Sequence, residues 1–359
     1  MDNNFAQRKT TASLFGKKGV LIVNLGTPDE PSRGAVYRYL RQFLTDGRVL
    51  DVPWLPRQIL VQGIIAPLRS GQSAKAYKEL WTEEGSPLKF YGERIAAGVQ
   101  DRLGDDFIVK LAMRYQSPSI ESALRELRKE EVAEIIVFPM FPQYAGATTG
   151  SVHQEVMRIV GKWPNIPNLK LINCYYDDPA MIELYARNGR AFDLDSYDHI
   201  FFSYHGLPTS QLKKADDGNH CQKVDNCCSY IGRHNQFCYG AQCHATSRAI
   251  ASNLGLKEDQ YTTTFQSRLG PVPWLKPYTI DELKSRAKAG AKRILCFSPA
   301  FVADCLETII EIGEEYQEEF EELGGERIDL VPSLNDDPVW MDIITNLVKA
   351  QACMLQPTS

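Results

Sequence analysis

A chain of 359 residues is long enough for two ordinary domains, and its 43% apolar and 24% charged residues exclude a disordered or fibrous protein. The formal net charge of -5 gives no basic footprint for nucleic acid, so no nucleic-acid partner is expected. The start lacks the apolar stretch of a signal peptide and nothing later approaches the roughly 18 apolar residues of a membrane span, which predicts a cytoplasmic protein.

Residues 1–16 predict a flexible N-terminus. From there, β-rich apolar runs alternate with segments of helical period, the pattern of parallel sheets joined by crossover helices. Strands are expected at 19–24, 107–113, 134–138, 169–174, 199–203, 261–265, 293–297 and 327–331. Segment 50–68 carries Trp54, Leu55, Ile59, Leu60, Ile64 and Ile65 among arginines. It reads either as an amphipathic lip resting on a membrane or as an ordinary core-facing helix.

The strand ends carry a weak internal repeat. Leu25-Gly26-Thr27-Pro28 is echoed by His205-Gly206-Leu207-Pro208, and Tyr115-Gln116-Ser117 by Phe265-Gln266-Ser267. Phe138-Pro139-Met140-Phe141 is echoed by Phe297-Ser298-Pro299-Ala300-Phe301, and Asp177-Asp178-Pro179 by Asp336-Asp337-Pro338. Four matches in one order predict two similar Rossmann-like α/β halves, each a four-stranded parallel sheet flanked by helices. The active site then lies in the cleft between their C-terminal strand edges. The first half is expected over 17–175 and the second over 176–336, with the last helix, 337–352, packing back on the first. Each Asp-Asp-Pro reads as a helix start, an Asp at the cap and Pro at the first position.

His205 follows an apolar strand at a sharp turn, where an imidazole serves as general base, as metal ligand, or only as a partner for the turn. Glu307, Glu311 and Glu315 fall four apart, on one face of a helix; such a line of like charges is either solvated surface or a route for cations and protons. Arg114 with Tyr115, Tyr144 with Thr148 and Thr149, and Trp274 lie at other strand ends. Together they suit a large, flat, carboxylated ligand. Five of the nine cysteines, Cys221, Cys227, Cys228, Cys238 and Cys243, crowd the insertion 212–243. In a reducing compartment that density points to zinc or an iron-sulfur cluster rather than to disulfides.

The chain resembles bacterial ferrochelatases over almost its whole length. The resemblance is carried by Val23-Asn24-Leu25-Gly26-Thr27-Pro28, Trp81-Thr82-Glu83-Glu84-Gly85-Ser86-Pro87-Leu88, Met113-Arg114-Tyr115, Pro142-Gln143-Tyr144 and Ser203-Tyr204-His205-Gly206-Leu207-Pro208. It continues through Gln266-Ser267-Arg268-Leu269-Gly270-Pro271-Val272-Pro273-Trp274-Leu275 and Asp304-Cys305-Leu306-Glu307-Thr308. It implies insertion of Fe2+ into protoporphyrin IX, the last step of haem synthesis, with release of two protons. His205 and Glu307 would be the essential pair handling iron and protons, and Leu25, Arg114, Tyr115, Tyr144, Ser203 and Trp274 would contact the porphyrin. Glu311 and Glu315 would lie on an iron or proton path. It also implies a 2Fe-2S cluster on four of the five cysteines, with the adjacent Cys227 and Cys228 not both ligating easily. Transient contact with a membrane and with neighbouring haem-pathway enzymes is implied as well. Many ferrochelatases have histidine where this chain has Cys305. The rival readings are a chelatase inserting cobalt or another metal into a tetrapyrrole, and a non-enzymatic iron-sulfur sensor.

Overall fold

The computed structural model describes residues 16–218 and 220–353. The N-terminal segment expected to be flexible therefore lies, except for Gly16, outside the described residues. Eight strands form: β1 (Lys18–Gly26), β2 (Phe107–Tyr115), β3 (Glu134–Pro139), β4 (Asn168–Leu171), β5 (His199–His205), β6 (Tyr261–Gln266), β7 (Arg293–Phe297) and β8 (Arg327–Leu330). They build two all-parallel sheets of the same order, β2-β1-β3-β4 and β6-β5-β7-β8. The repeat noticed in the sequence is thus a repeat of topology. Each repeated motif leaves a corresponding strand at its C-terminal end.

The central strands read as continuous apolar runs because helices cover both faces. Leu21, Ile22 and Val23 of β1 and Phe201 and Phe202 of β5 are buried. At the end of β1, Gly26 has φ 119°, and a Cβ there would stand 2.0 Å from the Tyr115 carbonyl oxygen, so only glycine lets β1 and β2 close.

Both Asp-Asp-Pro motifs start helices. Asp178 accepts from the Met181 N–H at 2.9 Å to open Pro179–Gly189, and Asp337 accepts from the Val339 N–H at 2.8 Å at the start of Pro338–Cys353. The two helices cross over. Pro179–Gly189, which follows β4, packs on Tyr239–Leu254, whereas Pro338–Cys353, which follows β8, packs on Pro87–Leu103. Trp340 of the last helix is fully buried, its ring centroid 5.9 Å from that of Tyr175 and 6.5 Å from that of Phe138. Among the described residues no helix is long and apolar enough to cross a membrane.

Candidate functional site

In the second sheet the chain passes from β5 outward to β6 and then returns to the other side of β5 as β7. The crossovers on either side of this reversal run in opposite senses, which leaves a crevice beyond the strand ends, the usual ligand site of open parallel sheets. His205 ends β5, and Glu307 lies on the segment that leaves β7. Both strands thus lead into a titratable side chain.

His205 is half-buried between aromatic rings, with Trp274 at 6.3 Å and Phe301 at 6.4 Å between centroids. Its Nδ1 lies 2.6 Å from the Gly206 carbonyl oxygen. A carbonyl only accepts, so Nδ1 carries the proton and the lone pair of the neutral ring sits on Nε2. That is the form a base or a metal ligand needs. Tyr239 donates its hydroxyl to the His205 carbonyl at 2.9 Å and fixes the backbone behind the ring.

Glu307 sits in a four-residue α turn, Leu306–Ile309, opened by Cys305, whose buried thiol lies against the Glu307 carboxylate. Burial, then the charge of Glu307, pushes the Cys305 thiol well up, so it stays protonated. Opposite stand Tyr39 and Tyr77, from Arg33–Leu44 and Ala66–Leu80, on the side of the first sheet. Burial and the Glu307 charge push both hydroxyls upward, and their rings meet edge to face at 6.2 Å. Sequence reasoning missed both tyrosines because buried aromatic positions on helices are indistinguishable from core. Leu25 joins the same apolar cluster with Leu306, Ile309 and Ile310, which brings the two halves into contact around Glu307.

The α-helical spacing expected for the acids does not persist. After Ile309 the chain enters a π turn, Glu311–Tyr316. Glu311 turns inward, where Ser267 donates its N–H at 2.8 Å and its hydroxyl at 2.5 Å, Gln266 Nε2 donates at 3.0 Å and the Tyr316 hydroxyl at 2.9 Å. Both Glu311 oxygens are thus satisfied within the protein. Glu315 is exposed, and desolvation together with Glu311, Glu318, Glu314 and Glu79 raises its carboxyl. Among Glu307, Glu311 and Glu315, Glu311 is the one whose carboxylate takes four hydrogen bonds from the fold.

Two residues expected at the ligand are fully buried instead. Ser203 donates to Gln266 Oε1 at 2.7 Å, because the β5–β6 register sets the two side chains on the same face of the sheet. Tyr115 lies under Phe43, 5.2 Å between rings, and donates its hydroxyl to Asp46 at 2.9 Å. Arg114 is also engaged: it donates to Asp46 at 2.7 Å and to the Ser151 hydroxyl at 2.7 Å, and stacks over the Tyr115 ring. Burial alone would raise the Asp46 carboxyl, but Ser151, the Arg48 N–H, Arg114 and Tyr115 outweigh it and hold the group below its usual range. Asp46 gave no sequence signal beyond being one acid among many.

Tyr144 takes no part in the buried pair just described: its N–H donates to Gln242 Oε1 at 2.6 Å. It lines a cavity of about 1020 Å³ between Arg48, Gln154 and the insertion, and its ring meets Phe237 at 6.0 Å. Cys221, Cys227 and Cys238 line the same cavity. The Cys238 thiol lies against those of Cys221 and Cys228, and the Cys227 and Cys228 sulfurs are 3.9 Å apart. Cys238 caps Tyr239–Leu254, and its neighbouring thiols and the N–H groups of Ala241 and Gly240 pull its own thiol down to about 3. Cys243 is different: fully buried inside that helix, against Tyr239, with its thiol pushed up by burial. No three of the described His, Cys, Asp and Glu side chains converge closely enough for a single metal ion.

Two matching parallel sheets with reactive groups at a C-terminal edge define a two-lobed α/β protein of the chelatase fold. A solved structure described as SirB from Bacillus subtilis with Fe3+ shares it, with a TM-score of 0.51 and 11% identity over 94% of this chain and 96% of that chain. A sirohydrochlorin chelatase SirB in complex with cobalt, from Bacillus subtilis subspecies spizizenii, gives a TM-score of 0.50 at 9% identity, covering 94% and 95%. Residues 17–352 match the family model Ferrochelatase, and the chain belongs to the ferrochelatase family. It is 42% identical to a ferrochelatase of Legionella pneumophila (strain Lens), over 93% of this chain and 99% of that one. It is 44% identical to one of Coxiella burnetii, over 93% of each.

Proposed function

We propose that the protein inserts Fe2+ into protoporphyrin IX. The observation that supports this reading is a histidine at the end of β5 whose Nε2 lone pair is left available, and, on the segment that leaves the neighbouring β7, a glutamate whose charge acts on two buried neutral tyrosines. Metallation breaks two pyrrole N–H bonds as iron–nitrogen bonds form, and two protons leave. The reaction therefore needs a proton acceptor and an anionic group for the incoming dication, and His205 and Glu307 supply one of each. The Trp274 and Phe301 rings beside His205 offer flat apolar surface to a macrocycle. The test is anaerobic metallation with Fe2+ and protoporphyrin. His205→Ala and Glu307→Gln each lower kcat by about a hundredfold or more; wild-type rates in both variants would refute the site, and an inactive wild type the function. Cobalt and coproporphyrin run in parallel separate the rival substrates.

A 2Fe-2S cluster on Cys221, Cys227, Cys228 and Cys238 fits the donor set, since Cys221 and Cys228 lie against Cys238 and Cys227 against Cys228, while Cys243 stays inside its helix. Bound there, it would supply one-electron chemistry or a cross-link for the insertion. Iron and sulfide content should fall in Cys238→Ser and persist in Cys243→Ser. Peripheral membrane contact is supported by Trp54, Leu55, Ile59, Ile64 and Leu68, exposed by 67%, 59%, 63%, 51% and 76% along one segment. Equal flotation with liposomes of wild type and Trp54→Glu/Ile59→Glu would remove it.

A further inference from the structure

We infer that Gln266 is a positioning residue that sets the geometry of His205 relative to Glu307, holding the histidine through its backbone and the glutamate through its amide. It ends β6 in register with His205 and is buried to 1% exposure. Its carbonyl accepts the Gly206 N–H at 2.8 Å, and the carbonyl of that same Gly206 fixes the His205 ring through Nδ1. Gly206, whose carbonyl selects the histidine tautomer, is thus held at its N–H by the Gln266 backbone. A Cβ on Gly206 would come within 2.9 Å of the Gln266 oxygen, so this approach is closer than any side chain at position 206 allows.

The side chain reaches the other partner. Nε2 donates to the Glu307 carbonyl at 2.8 Å and to Glu311 Oε2 at 3.0 Å, while Oε1 accepts from Ser203 at 2.7 Å. Two of these neighbours are pure acceptors, so the amide has one orientation that satisfies all three. Glu307 needs such a tether because it sits in only four residues of α-helix before the π turn, too short a piece to hold its place by helix formation alone. Gln266 touches no substrate. It acts through the two residues that do, in a buried network where a lost donor is not replaced by water.

This inference rests on the reading of His205 and Glu307 as the reacting pair, and its test separates the two. Gln266→Leu keeps the bulk and removes every side-chain hydrogen bond. Expected are a fall in kcat of about tenfold or more with KM for protoporphyrin within about twofold, and a displaced NMR signal from the Glu307 side chain, assigned by its loss in Glu307→Ala, since the Gln266 carbonyl that holds Gly206 stays in place. Ser203→Ala removes only the bond that orients the amide and should move the signal in the same direction, less far. Wild-type kcat in folded Gln266→Leu, or equal loss of porphyrin binding and turnover as from a merely structural role, overturns the inference. The Glu307 signal is read without substrate. If the wild type proved inactive, or Gln266→Leu did not fold, an unmoved signal in Ser203→Ala would still overturn it and a displaced one would support it.

Discussion

Asp46→Asn probes the carboxylate that organises Arg114 and Tyr115. In the wild type, Asp46 Oδ2 receives Arg114, Tyr115 and Ser151, and Oδ1 receives the Arg48 N–H at 2.8 Å. An asparagine amide cannot reproduce this: whichever way it turns, its NH2 faces at least one donor, and Arg114 loses its counter-charge. The two side chains are only 8% and 15% exposed, so breaking the pair should cost about 3 kcal/mol, the low end of the range for buried pairs. The sign with pH follows from the direction of the shift. A carboxyl held below its ordinary 3.8 contributes stability fully above that value, and the contribution is lost as pH falls through the lower, folded-state value. Urea unfolding at pH 7 should show the full gap between wild type and variant, and the gap should narrow steadily below about pH 4. A gap of the same size at both ends would show that charge is not what Asp46 contributes.

Three further outcomes follow from the geometry. Gly206→Ala should destabilise by about 1–3 kcal/mol and lower metallation, because its Cβ would meet the Gln266 oxygen at 2.9 Å and Trp274 at 3.0 Å; thermal unfolding and activity measure both. Trp340→Ala should cost about 3–5 kcal/mol in urea unfolding, and Trp340→Phe much less, since the buried indole Nε1 has no partner to lose. Tyr239→Phe removes the donor to the His205 carbonyl and should lower kcat while leaving the iron content of the cysteine group unchanged; parallel loss of both would tie Tyr239 to the insertion rather than to His205.

The strands were legible because a parallel sheet covered on both faces leaves an unbroken apolar run, as in β5 and β7, and because the repeated turns mark where each run ends. His205 and Glu307 were legible for the same reason, each following such a run. The rest depended on what folding brings together. Tyr39 and Tyr77 meet Glu307 from distant helices, and Asp46 meets Arg114 across 68 positions of chain. The acids at 307, 311 and 315 promised a regular helix face. A regular helix would set the Glu311 and Glu315 carboxylates side by side. The π turn instead presents the Tyr316 hydroxyl to Glu311, giving it a hydrogen bond that helps offset the neighbouring Glu315 charge. Segment 50–68 allowed two readings by its composition, and only the exposure of Trp54 and Ile59 distinguishes an outward apolar face from a core helix.

The exchange of helices after β4 and β8 bears on how the molecule comes apart. Neither sheet is covered by its own stretch of sequence alone: each borrows a helix whose sequence continues from the other sheet. Removing either crossing helix strips apolar surface from a sheet it does not belong to by order. Two lobes joined this way should melt together in a single calorimetric transition instead of one after the other. A chain severed between β4 and β5 should yield fragments that acquire structure only when mixed.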